Sequence, residues 1–453
     1  MILISCFISR LLTTIYYSED IDSLRFVLSI LDYNILELRP HFPGYPVFCF
    51  FAKFINFFIN SIPITFSIIG SISIFIIIIF SQKIYLILFN DIKTKYLFLL
   101  IFFNPLLWIL SNRYMSDLFG LSILISTFYY ILKFFNYKNL RYIIRISFLL
   151  GILIGVRVSF IPFLIPGILY LIFNISNKYR MNFIIFFLLG LLIWLIPLIT
   201  ITGYNELYQI SLRHINGHFF NWGGSVLSND STYSFRLLKI IESFWSDGLG
   251  GWWFQRHWIT FYIGCGFILF FIYSLSSIIF KKINKRSLIL IFSLLCYFLW
   301  IFFFQNIIYK PRHVIPLIPF LLIIINNGIY NFKNKNLYRS LIINIFFIFY
   351  ISLTTILNWQ HKQPSAIAQL KTYLINHNDT KKIFSSNKLM TNYIKHHKNS
   401  NSIDFINKNR FKLINNYYDL NYTIFSTSEI NSDFPFNLKS VKTFYHNPYV
   451  NRL

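Results

Sequence analysis

The chain has 453 residues, of which 56% are hydrophobic, 21% aromatic and only 13% charged. No soluble fold hides that much apolar surface, so lipid must solvate most of it. The formal net charge of +25 invites a nucleic-acid partner, but much of the excess sits in short loops between apolar runs, where it sets topology, and no nucleic acid is expected.

Taken in order, apolar runs fall at residues 1–17, 64–80, 97–110, 117–134, 141–156, 160–175, 182–202, 258–280, 287–304, 313–330 and 338–358. They predict a polytopic α-helical membrane protein with about eleven transmembrane helices. The first run has no small-residue cleavage site and reads as a retained helix. Residues 46–60, also apolar, read as a helix lying at the surface.

With the N-terminus cytoplasmic, the inner loops hold 16 Lys and Arg, among them Lys83, Lys133, Arg141, Lys281, Lys282 and Lys335. The short outer connections hold only Arg113, Arg157, Lys310 and Arg312. That asymmetry fixes orientation. It places two long loops outside, 18–63 and 203–257, followed by an outer C-terminal tail. The division expected is a membrane domain, 1–359, and a small soluble α/β domain, 360–453. In the tail, AIAQLKTYLI has helical periodicity, whereas KKIFSS, YTIFSTS and VKTFYH have strand character. Cys6, Cys49, Cys265 and Cys296 are too scattered for a disulfide framework or a zinc site.

The first outer loop concentrates acids: Glu19, Asp20, Asp22, Asp32 and Glu37. On a helix, Asp22 and Arg25 share a face. A carboxylate there can serve as general base towards an alcohol; the plainer alternative is that these acids cap a surface helix. PHFPGYP follows. Pro40, Pro43 and Pro46 restrict the backbone and Gly44 permits a turn, so His41, Phe42 and Tyr45 form a rigid site wall or a stiff connector.

The pattern D-x-x-R-F, then R-P-H-x-P-G-Y-P, resembles the first outer loop of bacterial membrane glycosyltransferases of the C-type (GT-C) superfamily, relatives of the polyprenyl- or dolichyl-phosphate-sugar-dependent mannosyl- and arabinosyltransferases. The matching residues are Asp22, Arg25, Phe26, Arg39, Pro40, His41, Pro43, Gly44, Tyr45 and Pro46. The resemblance implies a catalytic base at Asp22, with Asp20 as the second candidate, and an inverting transfer from a lipid-phosphate sugar.

Other outer span ends carry positive charge: Arg113 with Asp117, Arg157, and Lys310 with Arg312 and His313. Arginine grips phosphate with paired charge-assisted hydrogen bonds, and a lipid-phosphate donor needs such a grip as its leaving group gains charge. Interfacial snorkelling is the simpler alternative for each alone. In the second outer loop, His218 and Trp222 with Asn216 and Asn221 suit sugar recognition. Arg25, Arg39, His41, Tyr45, Asp117 and His313 complete the expected substrate contacts. There is no P-loop, dinucleotide fingerprint or metal-binding helix; a divalent metal stays an open alternative, and no other cofactor is expected.

The function expected is transfer of a hexosyl or pentosyl unit from a polyprenyl-phosphate donor to a glycan, lipid or protein acceptor on the outer face. That face is the periplasm if the membrane is a bacterial inner membrane. A transporter or flippase of lipid-linked glycans is the competing class, though no internal repeat supports it. A non-catalytic assembly subunit is the third.

Overall fold

The structure, a computed structural model, describes residues 1–222, 224–228, 232–279, 285–333, 337–376, 382–386, 388–395, 403–407, 423–426 and 442–445. Lys281, Lys282, Lys335 and Gly223 lie outside the described residues. The chain begins with α1 (Ile2–Leu12), α2 (Ile21–Leu31) and α3 (Pro46–Ile59), then enters the long apolar α4 (Ile62–Phe89). A bent pair follows, α5 (Lys95–Phe102) and α6 (Pro105–Asn112), and then α7 (Asp117–Tyr137), α8 (Leu140–Arg157), α9 (Ile161–Asn174) and α10 (Asn177–Thr202). The second long loop carries α11 (Tyr204–Asn216) and α12 (Tyr233–Glu242). The bundle closes with α13 (Ile259–Ile279), α14 (Lys285–Phe304), α15 (Ile318–Lys333) and α16 (Leu337–His361).

Among the described residues, eight helical runs are long and apolar enough to cross a membrane, or nine with the bent pair. The chain is a multi-pass membrane protein. The expected count of about eleven is not reached by this measure, for two reasons. The first helix has only 11 residues, about 16 Å of rise against a hydrocarbon core of about 30 Å. The expected runs 141–156 and 160–175 join into one helical stretch, Leu140–Asn174. That stretch is not straight. Arg157 leaves helical geometry, at φ −158° and ψ 85°. Its side chain meets Asp117 at the start of α7, whereas the Tyr142 and Tyr170 rings pack near the other end of α7, on Tyr130 and Phe135. So α8 climbs along α7 and α9 returns.

The bent pair turns by 53°, and its break is chemically complete. Asn104 caps α6 by accepting from the Leu107 N–H at 2.9 Å and donates to the Gly248 carbonyl at 2.8 Å and the Tyr350 hydroxyl at 3.0 Å. Arg10, fully buried, donates to the freed Phe102 carbonyl at 2.9 Å and sits on the Phe102 and Trp108 rings. Backbone released inside a bilayer requires such partners. The break also aims Arg113, just beyond α6, at the mouth of the bundle.

The tail adds α17 (Ala366–Asn376), β1 (Lys382–Ser386), α18 (Lys388–Lys395), β2 (Ile403–Asn407) and β3 (Thr423–Ser426). The strands form a parallel sheet in the order β2-β1-β3, with Lys382 opposite both Ile403 and Thr423. Parallel neighbours need a crossover, and α18 lies between β1 and β2 in sequence. Two of the three expected strands therefore form, with a third at 403–407. The expected strand at VKTFYH does not, over its described residues 442–445. The Tyr445 carbonyl accepts from Gln369 at 3.3 Å and Phe444 packs on Tyr373, so this piece lies against α17 instead of pairing. Residues 381, 422, 427, 428, 441 and 446 of those stretches lie outside the described residues.

Candidate active site

Helix α2 starts in a reciprocal cap. Asp20 accepts from the Ser23 N–H at 2.7 Å, and the Ser23 hydroxyl accepts from the Asp20 N–H at 2.9 Å. This fixes the first turn, so Asp22 projects from a rigid base. Its Oδ1 accepts from Arg25 at 3.1 Å, the helical neighbour expected from spacing. Its Oδ2 accepts from Arg312 at 2.9 Å and also from Lys310. Both partners sit where 3₁₀ turns begin at Pro311, ahead of α15.

The neighbouring acids are paired in the same way. Asp20 Oδ2 takes Arg113 Nη2 at 2.7 Å and lies 4.0 Å from Arg312 Nη1. Glu19 lies 3.4 Å from Arg113 Nε. Asp117, at the N-terminus of α7, meets Arg157 at 2.7 Å and Arg312 at 3.9 Å. Every member but Arg25, which lies within α2, therefore stands at the end or break of a helix, and all meet at one end of the bundle. Glu19, Asp22, Arg113, Asp117, Arg157 and Arg312 are buried; Lys310 keeps 36% of its side chain exposed.

Burial works to raise the Asp22 pKa, but Lys310 and Arg312 outweigh it and hold the carboxyl far below the usual range. Burial likewise opposes ionisation of Asp20, yet Arg113 and Arg312 pull it down to about 2. Burial, then Arg312, lowers the Lys310 pKa, and Asp22 partly restores it.

The PHFPGYP turn forms one wall. Gly44 takes φ +85°, and a Cβ there would stand 2.5 Å from Ile35 Cδ1 and 2.6 Å from the Tyr33 hydroxyl oxygen. Tyr33 donates to the Gly44 carbonyl at 2.8 Å. The turn brings the Tyr45 hydroxyl to 3.0 Å from His41 Nε2 and the Tyr45 ring beneath the Arg157 guanidinium, at 5.8 Å. Beyond His41 the imidazoles of His214 and His218 continue a stack, with centroids 6.4 Å and 6.0 Å apart, and Trp222 meets His214 at 5.2 Å. This stack joins the two long loops. Burial lowers His41 to about 3 and His214 to about 4, so both are neutral at pH 7. His218 is also tied down, its Nε2 lying 3.0 Å from the Phe304 carbonyl at the end of α14. Half-buried His313 has its carbonyl held by Tyr297 at 3.0 Å, and its ring lies within electrostatic reach of Arg157, Arg312 and Lys310.

Thus Asp20, Asp22, Arg25, Arg113, Asp117, Arg157, Lys310 and Arg312 come together, with His41, Tyr45 and His313 beside them and His218 and Trp222 further out. Arg39 does not join them. It pairs with Asp32 at 2.7 Å and Glu37 at 2.6 Å, stapling the chain between α2 and the turn. Among the described residues no group of three or more His, Cys, Asp or Glu is arranged to hold a metal ion.

This architecture matches solved structures. ArnT from Cupriavidus metallidurans, crystallised with undecaprenyl phosphate, is similar with a TM-score of 0.56 at 10% identity, over 87% of this chain and 83% of that one. Its apo crystal structure gives 0.55 at 8% identity, over 87% and 84%. The chain has the GT-C fold. No family model and no curated protein matches the sequence.

The GT-C bundle also gathers residues that sequence reasoning passed over. His361, at the last turn of α16, bonds Glu19 at 2.7 Å. It is a titratable group at the end of an apolar run, the same signal that singled out Arg113 and Arg157. His214 was findable from its i,i+4 spacing to His218. Ser116, whose hydroxyl accepts from Arg157 at 3.4 Å, carried no such signal.

Proposed function

We propose that this chain transfers a hexosyl or pentosyl group from a polyprenyl-phosphate donor to an acceptor hydroxyl, with inversion, on the outer face of the membrane. The observation that carries the reading is a charge imbalance. Arg25, Arg113, Arg157, Lys310 and Arg312 face Glu19, Asp20, Asp22 and Asp117, five cations against four carboxylates. One positive charge is left over in a largely buried cluster. A sugar-phosphate-lipid diester carries one negative charge and balances it.

In this reading Asp22 is the base and the donor frees it. Clamped by Lys310 and Arg312, Asp22 is a poor proton acceptor. Phosphate oxygens compete for those cations, and once they turn, burial raises the carboxyl's proton affinity. The acceptor oxygen then bonds to the anomeric carbon, the bond from that carbon to the phosphate oxygen breaks, and the acceptor proton passes to Asp22. The phosphate gains one negative charge as Asp22 loses one, so the net charge of the site is unchanged. Arg113 and Arg157, held by their own acids, keep the surrounding field fixed.

Asp20 is the weaker candidate because one of its oxygens caps α2 through the Ser23 backbone N–H, a bond that a donor phosphate does not displace, whereas the Asp22 partners are all side-chain cations. The acceptor is a glycan, lipid or protein hydroxyl. The His41–His214–Trp222 edge, running outward from the cluster, supplies aromatic faces and imidazole nitrogens for it. The test is transfer from synthetic polyprenyl-phosphate sugars by the purified protein in nanodiscs, screened over donors and acceptors. Sugar-dependent release of polyprenyl phosphate supports the reading; none with any donor rejects it.

A further inference from the structure

The base-bearing helix is held from two sides, and the second side belongs to the tail. On one face of α2, Phe26, Val27 and Ile30 enter the main core. On the other, Leu24 and Leu28 are buried with Leu374, Phe384, Met390 and Ile394 of the C-terminal segment. Where the tail leaves α16, three polar ties run to the residues just before α2. The Tyr17 hydroxyl donates to the His361 carbonyl. The Ser365 hydroxyl donates to the Ser18 carbonyl at 2.7 Å. His361 Nε2 bonds Glu19 Oε1 at 2.7 Å. A fourth tie, Lys388 to Glu37 at 3.0 Å, closes the far end of the loop.

The His361 tie differs from the others because it enters the charged cluster. Glu19 neighbours Arg113, and Arg113 donates to Asp20, which caps α2. His361 and Glu19 are 1% and 4% exposed, so water cannot replace either partner, and losing one leaves a buried polar group unpaired. A displaced Glu19 would release Arg113, and with it the cap that aims Asp22.

We infer that His361 is a positioning residue: through Glu19 and Arg113 it holds the α2 cap, so that the C-terminal segment sets where Asp22 points. The inference rests on the proposed role of Asp22, but one of its readouts does not. His361→Leu removes the bond to Glu19. In His361→Gln the amide N–H₂ can still donate to Glu19. Both are made in the full chain, with Glu19→Gln as a second perturbation that removes the charge and stays informative should the leucine variant fail to fold.

Amide exchange over residues 20–28 is followed alongside kcat and donor KM. The expected result is faster exchange across this helix in His361→Leu, near wild type in His361→Gln and intermediate in Glu19→Gln. In the same variants kcat should fall about tenfold, recover and fall by less, with donor KM within about twofold throughout. Unchanged exchange in both His361→Leu and Glu19→Gln overturns the inference, as does faster exchange with kcat unaltered. Faster exchange in His361→Leu that His361→Gln reverses, in a protein that transfers no sugar at all, upholds the positioning of α2 and rejects the glycosyltransferase reading instead.

Discussion

Replacing Asp22 by Asn separates the two things this carboxylate does. It removes the proposed base, and general bases contribute roughly 100- to 10,000-fold, so kcat should fall by that range. It also removes the anion that competes with the donor for Lys310 and Arg312. A charge pair near 4 Å is worth about 4 kcal/mol at an effective dielectric constant of about 20. Lys310 is 36% exposed, so screening reduces the usable part to about 1 kcal/mol, roughly fivefold in affinity. The expected signature is therefore opposite in sign for the two quantities: kcat falls at least a hundredfold while the donor binds somewhat tighter. Single-turnover transfer and direct binding of a non-transferable donor analogue measure them separately. Asp20→Asn is the comparator. Asn caps a helix about as well as Asp, so its kcat loss should stay below about tenfold. An Asp22→Asn protein within tenfold of wild type, or an Asp20→Asn protein more damaged than it, refutes the assignment.

Three further outcomes follow from the same geometry. Gly44→Ala must hold φ +85° and fit a Cβ 2.5 Å from Ile35 Cδ1; it should cost about 1–3 kcal/mol, read as a lower thermal midpoint in detergent. Arg39→Gln breaks the ties to Asp32 and Glu37 and nothing in the cluster, so kcat and donor KM should stay within about twofold while the midpoint drops. A single surplus positive charge favours a monophosphate-linked donor over a diphosphate-linked one, so competition between the two, at equal lipid length and sugar, should favour the monophosphate in kcat/KM.

Much of this site was legible because a lipid environment makes ionisable residues conspicuous. Arg113, Arg157 and Arg312 stand at the ends of apolar runs, and such groups persist at membrane depth only with partners. The D-x-x-R spacing foretold the Asp22–Arg25 pair, since helical periodicity is local. Partner choice between distant segments was not legible. Arg39 looks in sequence like its neighbours in the motif, yet Asp32 and Glu37 capture it because the turn folds back on α2. His361 lies 342 residues from Glu19, and only the bundle brings them together. Length and hydropathy count fewer spans than the eleven expected because they join the two runs that reverse at Arg157 and leave out the short α1. The stretch VKTFYH has strand composition, but pairing depends on a free sheet edge, and α17 takes it first.

The central claim is that donor phosphate draws Lys310 and Arg312 off Asp22 and so arms it as a base. The pH dependence of kcat, with donor bound, set against that of kcat/KM, which reports the free protein, tests this most directly. Without donor the folded carboxyl is depressed, so it stays ionised as pH falls through the usual carboxylate range and is protonated only well below it. With the cations withdrawn its pKa rises, and the acid limb of kcat should lie at least about one pH unit above that of kcat/KM. Coincident limbs, or an acid limb of kcat that persists unchanged in Asp22→Asn, would contradict the account.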